Sequence, residues 1–186
     1  SQCPAGTYSS SIGASVPSTC TPCSGGHYSI AIGANSSSTC IQCQPGTFSA
    51  ALGATNPNTC VPVLIGTYSS TPASTTYILC DAGTYGPVRG LSSCPICGPG
   101  SFSSLQGASS CALCPAGTWS SAFRANTSAT CNPCPFGTYS VQLGATSNST
   151  CVSCPIGTFS AISGASFSGA CTVCPLGTYS SSMGSS

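Results

Sequence analysis

Seventeen cysteines are the residues of this chain with the most chemistry to offer, and they are regularly spaced. Most fall in C-x-x-C pairs such as Cys20-Thr21-Pro22-Cys23 and Cys40-Ile41-Gln42-Cys43. Such pairs suit disulfide bridges, four-thiolate zinc or thiol–disulfide exchange. Zinc is the lesser reading, because a row of thiolate sites would carry negative charge that two arginines and no lysine cannot offset. Exchange chemistry lacks the βαβ pattern that normally carries it. Cysteine at about nine per cent of a short chain instead points to a disulfide scaffold, and so to an oxidising compartment. Other catalytic chemistry has little to build with. Asp81 is the one acidic residue, His27 the one histidine, and Glu and Lys are missing altogether. His27 stands alone where other repeats carry Thr, which reads as surface variation. No enzyme, metal or cofactor is expected, since acid–base work needs several tunable groups.

The cysteines mark a repeat close to C-P-x-G-T-[YF]-S-x-x-x-G-A-x(5)-C-x-x. It opens at Cys3, Cys23, Cys43, Val63, Cys80, Cys97, Cys114, Cys134, Cys154 and Cys174. Residues 1–62 hold three 20-residue repeats, 63–113 three 17-residue repeats, and 114–173 three more of 20, while 174–186 begin another. Opening cysteines could pair with closing cysteines of the same repeat, or across each C-x-x-C. The repeat at 63–79 discriminates, because Val63 and Tyr77 replace both its opening and its closing cysteine. Pairing within repeats orphans nothing there, whereas pairing across C-x-x-C would strand Cys60 and Cys80. The expected bridges are Cys3–Cys20, Cys23–Cys40, Cys43–Cys60, Cys80–Cys94, Cys97–Cys111, Cys114–Cys131, Cys134–Cys151 and Cys154–Cys171. Cys174 is left over. Its partner would lie past Ser186, so the chain is expected to continue, and a start already in repeat phase with no signal peptide reads as an excised or mature segment.

Each repeat must position its cysteines with very little material. A glycine stands three residues after every opening position, from Gly6 to Gly177, implying a left-handed backbone or a close approach. An aromatic follows two residues later, from Tyr8 to Tyr179, and stacking these rings would give a one-dimensional core. An aliphatic often precedes the second glycine, as in Ile12-Gly13, Ile32-Gly33, Leu52-Gly53 and Leu143-Gly144. "GTYS" favours a short strand, the Gly-Ala region a turn, and "TC" an antiparallel return. With 22 Gly and 15 Pro, helices are not expected. The fold class is therefore small, disulfide-rich and mostly β or irregular: a linear tandem array of short two-stranded hairpins forming an elongated rod. A bridge closing a loop of about 15 residues stabilises by roughly 3 kcal/mol in the chain-entropy account and stands in for a globular core.

The segments "CPAGTYSSSIGASVPSTCTPC" and "CPFGTYSVQLGATSNSTCVSC" resemble the cysteine-rich repeat of ephrin-receptor ectodomains, and more distantly tumour-necrosis-factor-receptor modules. The resemblance covers essentially the whole chain. It implies an extracellular ladder of hairpins with an opening-to-closing bridge in each. Val63 and Tyr77 depart from it, as does Arg124-Ala125 where Gly-Ala is usual.

Sequons at Asn35, Asn126 and Asn148 all precede a closing cysteine, and Ser and Thr form about a third of the chain, so N-linked and O-linked glycans are the expected covalent additions. The 17-residue repeats carry no sequon. They would offer a bare strip for assembly, with Val63, Tyr77, Arg89 and Arg124 as the candidate contact residues, and Asp81 as a partner for Arg89. Only three residues are charged, which gives no field for nucleic acid or anionic lipid, and no apolar run approaches the roughly 20 residues of a membrane span. These features point to a secreted or cell-surface structural glycoprotein whose partner is itself, in a filament, appendage or matrix fibre. The alternatives are a receptor ectodomain or stalk binding a protein ligand, and a carbohydrate-binding adhesin that would need its aromatic rings in solvent.

Overall fold

The computed structural model describes residues 1–12 and 16–186; Gly13, of the Ile12–Gly13 pair, lies outside them. Each described repeat begins with a tight turn. Pro4-Ala5-Gly6-Thr7 is representative: the Thr7 N–H donates to the Pro4 carbonyl at 3.2 Å, and the Thr7 hydroxyl donates to the same oxygen at 2.8 Å. The third residue of such a turn needs a positive φ, and Gly6 has φ +80°. This is why glycine recurs there: any side chain would cost roughly 1–2 kcal/mol.

The turn leads into a two-residue strand. Thr7–Tyr8 pairs antiparallel with Thr21–Pro22, in the register Thr7 to Pro22 and Tyr8 to Thr21. The return strand is thus the dipeptide after the closing cysteine, not the "TC" dipeptide expected from the sequence. The Cys23 N–H closes the hairpin by donating to the Gly6 carbonyl at 2.8 Å. Eight such two-stranded hairpins form among the described residues, and the repeat at 80–96 contributes the single bridge pair Thr84–Ile96.

Two compact units contain these hairpins, one formed by Ser1–Cys80 with Gly86–Cys94 and the other by Asp81–Tyr85 with Pro95–Ser186. Within each, successive hairpins are joined by backbone hydrogen bonds. In the first unit Gly6 N–H donates to Ser29 O at 2.8 Å, Ser9 N–H to Ala34 O at 3.0 Å, and Gly33 N–H back to Cys3 O at 2.7 Å. The second unit repeats the pattern, with Gly117 N–H to Ser140 O at 2.7 Å, Ser120 N–H to Ala145 O at 2.9 Å and Gly144 N–H to Cys114 O at 2.8 Å. Contact also reaches two repeats ahead. A Cβ on Gly6 would fall inside the carbonyl of Gly53, and one on Gly117 inside that of Gly164.

The core is made of small groups. Buried positions are the opening cysteines, the alanines after the second glycine (Ala34, Ala54, Ala125, Ala145 and Ala165), and the serines of the "TYS" and "TFS" runs such as Ser29, Ser49 and Ser140. The aromatic rings do not form the stacked core expected from the sequence. Nine of the ten are half-buried and Tyr179 is exposed, because backbones drawn together by direct hydrogen bonds leave room between them for nothing larger than Cys, Ala, Ser, Thr and, once, Val63.

The difference between long and short repeats is one turn of 3₁₀ helix. Pro17–Thr19, Ser37–Thr39, Pro57–Thr59, Ser128–Thr130, Asn148–Thr150 and Ser168–Ala170 all lie in 20-residue repeats. The 17-residue repeats reach the return strand without one.

Candidate functional site

Cysteine placement follows directly from this geometry. The turn sets the opening cysteine on the buried side, and the strand pairing brings the closing cysteine beside it. The bridges run Cys3–Cys20, Cys23–Cys40, Cys43–Cys60, Cys80–Cys94, Cys97–Cys111, Cys114–Cys131, Cys134–Cys151 and Cys154–Cys171, with Cα atoms 5.4–5.8 Å apart. Cys174 is a free thiol, half-buried, in the described structure.

Val63 and Tyr77 take different places in the repeat that lacks a bridge. Val63 is fully buried at the opening position and so presents no surface to a partner. Its N–H donates to Gly46 O, and its carbonyl accepts from Gly90 N–H, both at 3.0 Å. The Tyr77 ring lies edge-on to Phe48 of the preceding repeat, with ring centroids 5.3 Å apart, and it remains 40% exposed. An aromatic contact to a neighbouring hairpin thus stands at the closing position.

Asp81 pairs with Arg124 rather than with Arg89, at 3.9 Å between Arg124 Nη2 and Asp81 Oδ2. Both side chains are about 60% exposed, so the pair is worth no more than about 0–1 kcal/mol. Arg89 is exposed. Arg124 occupies a second-glycine position and keeps the turn intact, at φ +54°, with its N–H donating to Cys97 O at 2.7 Å. The cost is a non-glycine residue in left-handed backbone, repeated at Ala73 with φ +57°.

Asn35, Asn126 and Asn148 are all exposed. Asn35 and Asn126 stand immediately before the residues that begin the 3₁₀ turns, where Ser36 and Thr127 accept from Ser38 N–H and Ala129 N–H. Asn148 is the first residue of its own turn. The structural feature that separates long repeats from short ones is therefore the one on which the sequons sit, a link that sequence spacing alone did not give.

His27 Nδ1 lies 3.1 Å from the Gly25 carbonyl and 3.2 Å from the Ser24 hydroxyl, which anchors the ring to its own turn. Among the described residues no group of three or more His, Cys, Asp or Glu side chains is placed to hold a metal ion. Among the described residues no helix is long and apolar enough to cross a membrane.

Hairpins of this size, all but the one at 67–79 closed by a bridge and each hydrogen-bonded to a neighbour, define a disulfide-rich tandem module. The sequence model of the family described as "tyrosine-protein kinase ephrin type A/B receptor-like" matches residues 83–128, 100–151 and 146–186. These matches cover more than half of the chain, and the chain belongs to that family. No curated protein matches it.

Proposed function

We propose that the chain is a non-catalytic, structural segment of an extracellular glycoprotein that packs against copies of itself in a filament, appendage or matrix fibre. One observation carries the reading. Large apolar side chains stand in solvent at the same position of most 20-residue repeats, with almost no charge around them. Ile12, Ile32 and Leu52 in the first unit, and Phe123, Leu143 and Met183 in the second, are each at least 61% exposed. Scattered exposed apolar residues are ordinary, but recurrence at one repeat position is not scatter, and exposed apolar surface beyond the ordinary marks interfaces. A chain with three charged residues also lacks the repulsion that keeps soluble proteins apart. Glycans on the 3₁₀ turns at Asn35, Asn126 and Asn148 would keep those edges hydrated and leave association to the rest of the surface.

Family membership supports a second reading, a receptor ectodomain or stalk binding a protein ligand. Both readings place the chain outside the cell, where its disulfides persist. The test is sedimentation of the chain secreted from eukaryotic cells, alongside Ile32→Asp and Leu52→Asp. Concentration-dependent assembly of the parent, lost in the variants without change in thermal stability, is the expected result. A parent that stays monomeric at every concentration favours the receptor reading instead.

A further inference from the structure

We propose that the repeat opening at Val63 is the extension element of this chain: the one stretch between bridges that tension can draw out while every disulfide stays closed. The inference rests on covalent connectivity alone and holds whether or not the chain assembles.

Tension along a bridged chain takes the shortest covalent path. In a bridged repeat that path crosses the disulfide, and the 14- or 17-residue loop behind it carries no load. Only the three peptide links from a closing cysteine to the next opening cysteine remain on the path, about 10–11 Å at full extension. The bridge adds its Cα separation of 5.4–5.8 Å. From Cys60 to Cys80 no bridge intervenes. All twenty peptide links there bear load and can reach about 66–72 Å. Opening this repeat thus yields several times the length available from any bridged one.

What holds the repeat shut is non-covalent. Thr67–Tyr68 pairs with Ile78–Leu79, and Cys80 N–H donates to Gly66 O at 2.9 Å. Ala73 N–H donates to Cys43 O at 2.9 Å, and Ser49 N–H to Ser74 O at 3.0 Å. Val63 is bonded to Gly46 and Gly90, Ser69 O accepts from Gly46 N–H at 2.8 Å, and Gly66 and Ser69 N–H donate to Gly86 O at 2.9 Å and Leu91 O at 3.0 Å; the Tyr77 edge contact to Phe48 adds to these.

A second observation sets the same repeat apart from its neighbours. The Ser69 hydroxyl is the one buried side-chain polar atom without a partner among the described residues. Its counterparts accept from the amide two residues on, as Ser29 does from Ala31 and Ser49 from Ala51, both at 3.3 Å. Ser69 instead borders an open surface pocket with Thr71, Ser74, Thr75 and Thr76.

The experiment is single-molecule stretching of the oxidised chain, with one handle at Ser1 and the other on the free thiol of Cys174. That attachment leaves residues 175–186 off the load path. The expected record has one long release, equal to the roughly 66–72 Å extended span less the folded separation of Cys60 and Cys80, that recurs on relaxation and re-stretching. It disappears in a Val63→Cys, Tyr77→Cys double variant whose new bridge is confirmed by mass. A Tyr77→Ala variant keeps the length of the release but lowers its force. The proposal is overturned if the wild type shows no long release with its bridges intact. It is overturned equally if several equal long releases occur, if the bridged double variant keeps the release, or if Tyr77→Ala leaves its force unchanged.

Discussion

Alanine at Gly117 and alanine at Gly90 should differ sharply in cost, although the two glycines share one backbone conformation. Their φ values are +82° and +78°. Each substitution puts a side chain into left-handed backbone, which costs roughly 1–2 kcal/mol. At Gly90 the new methyl would make only ordinary contacts, with Pro62 Cβ at 3.7 Å and Gly46 O at 4.0 Å. At Gly117 the methyl would overlap the Gly164 carbonyl oxygen, come within 2.7 Å of the carbonyl carbon, and lie 3.0 Å from that of Ala165. These are backbone atoms that cannot rotate away, and the Gly164 N–H is itself bonded to Cys134 O at 2.8 Å. Overpacking of this kind adds about 1–3 kcal/mol. The expected totals are therefore roughly 1–2 kcal/mol at Gly90 and 2–5 kcal/mol at Gly117. Amide hydrogen exchange under native conditions reads the difference locally, since about 1.4 kcal/mol is a tenfold change in protection. Gly90→Ala should cost its own repeat about tenfold, and Gly117→Ala should cost the Gly117 and Gly164 amides about a hundredfold or more. Equal losses in the two variants would refute the inferred approach of a repeat to the second one beyond it.

Ala73→Gly should raise stability by about 0.5–1 kcal/mol, because relief of left-handed strain outweighs the entropy of glycine; urea unfolding with the bridges intact checks it. Tyr77→Ala should lower stability by about 1–2 kcal/mol in the same assay, through loss of the edge contact to Phe48 and some burial, while Tyr77→Phe stays near neutral. Each of Asn35→Gln, Asn126→Gln and Asn148→Gln should remove one N-glycan from the mass of the secreted chain, and a mass unchanged by a given substitution contradicts glycosylation at that site.

Much of the fold was legible because the repeat shows its own constraints. Invariant glycines marked the turns, the "TY" and "TF" runs marked the strands, and Val63 with Tyr77 stood out as a pair of substitutions belonging to one feature. What stayed hidden depends on distances between repeats. Aromatic spacing suggested a ringed core, yet amide bonds such as Gly6 to Ser29 draw the backbones too close for rings to enter. The return strand lay two residues later than its β-favouring residues implied, because the Cys23 amide bonds to Gly6 and fixes the register. Sequence proximity paired Asp81 with Arg89, while folding brings Arg124 to Asp81 from two repeats away. The sequons were visible as motifs, but the 3₁₀ turns that carry them could be recognised only once the three extra residues of a long repeat had a shape.

Electron microscopy of the secreted, glycosylated chain tests the central claim most directly. The account predicts ordered filaments or sheets in which copies pack side by side through their exposed apolar residues. Separate particles with no lateral order, at concentrations where the chain is folded and its bridges closed, would contradict it.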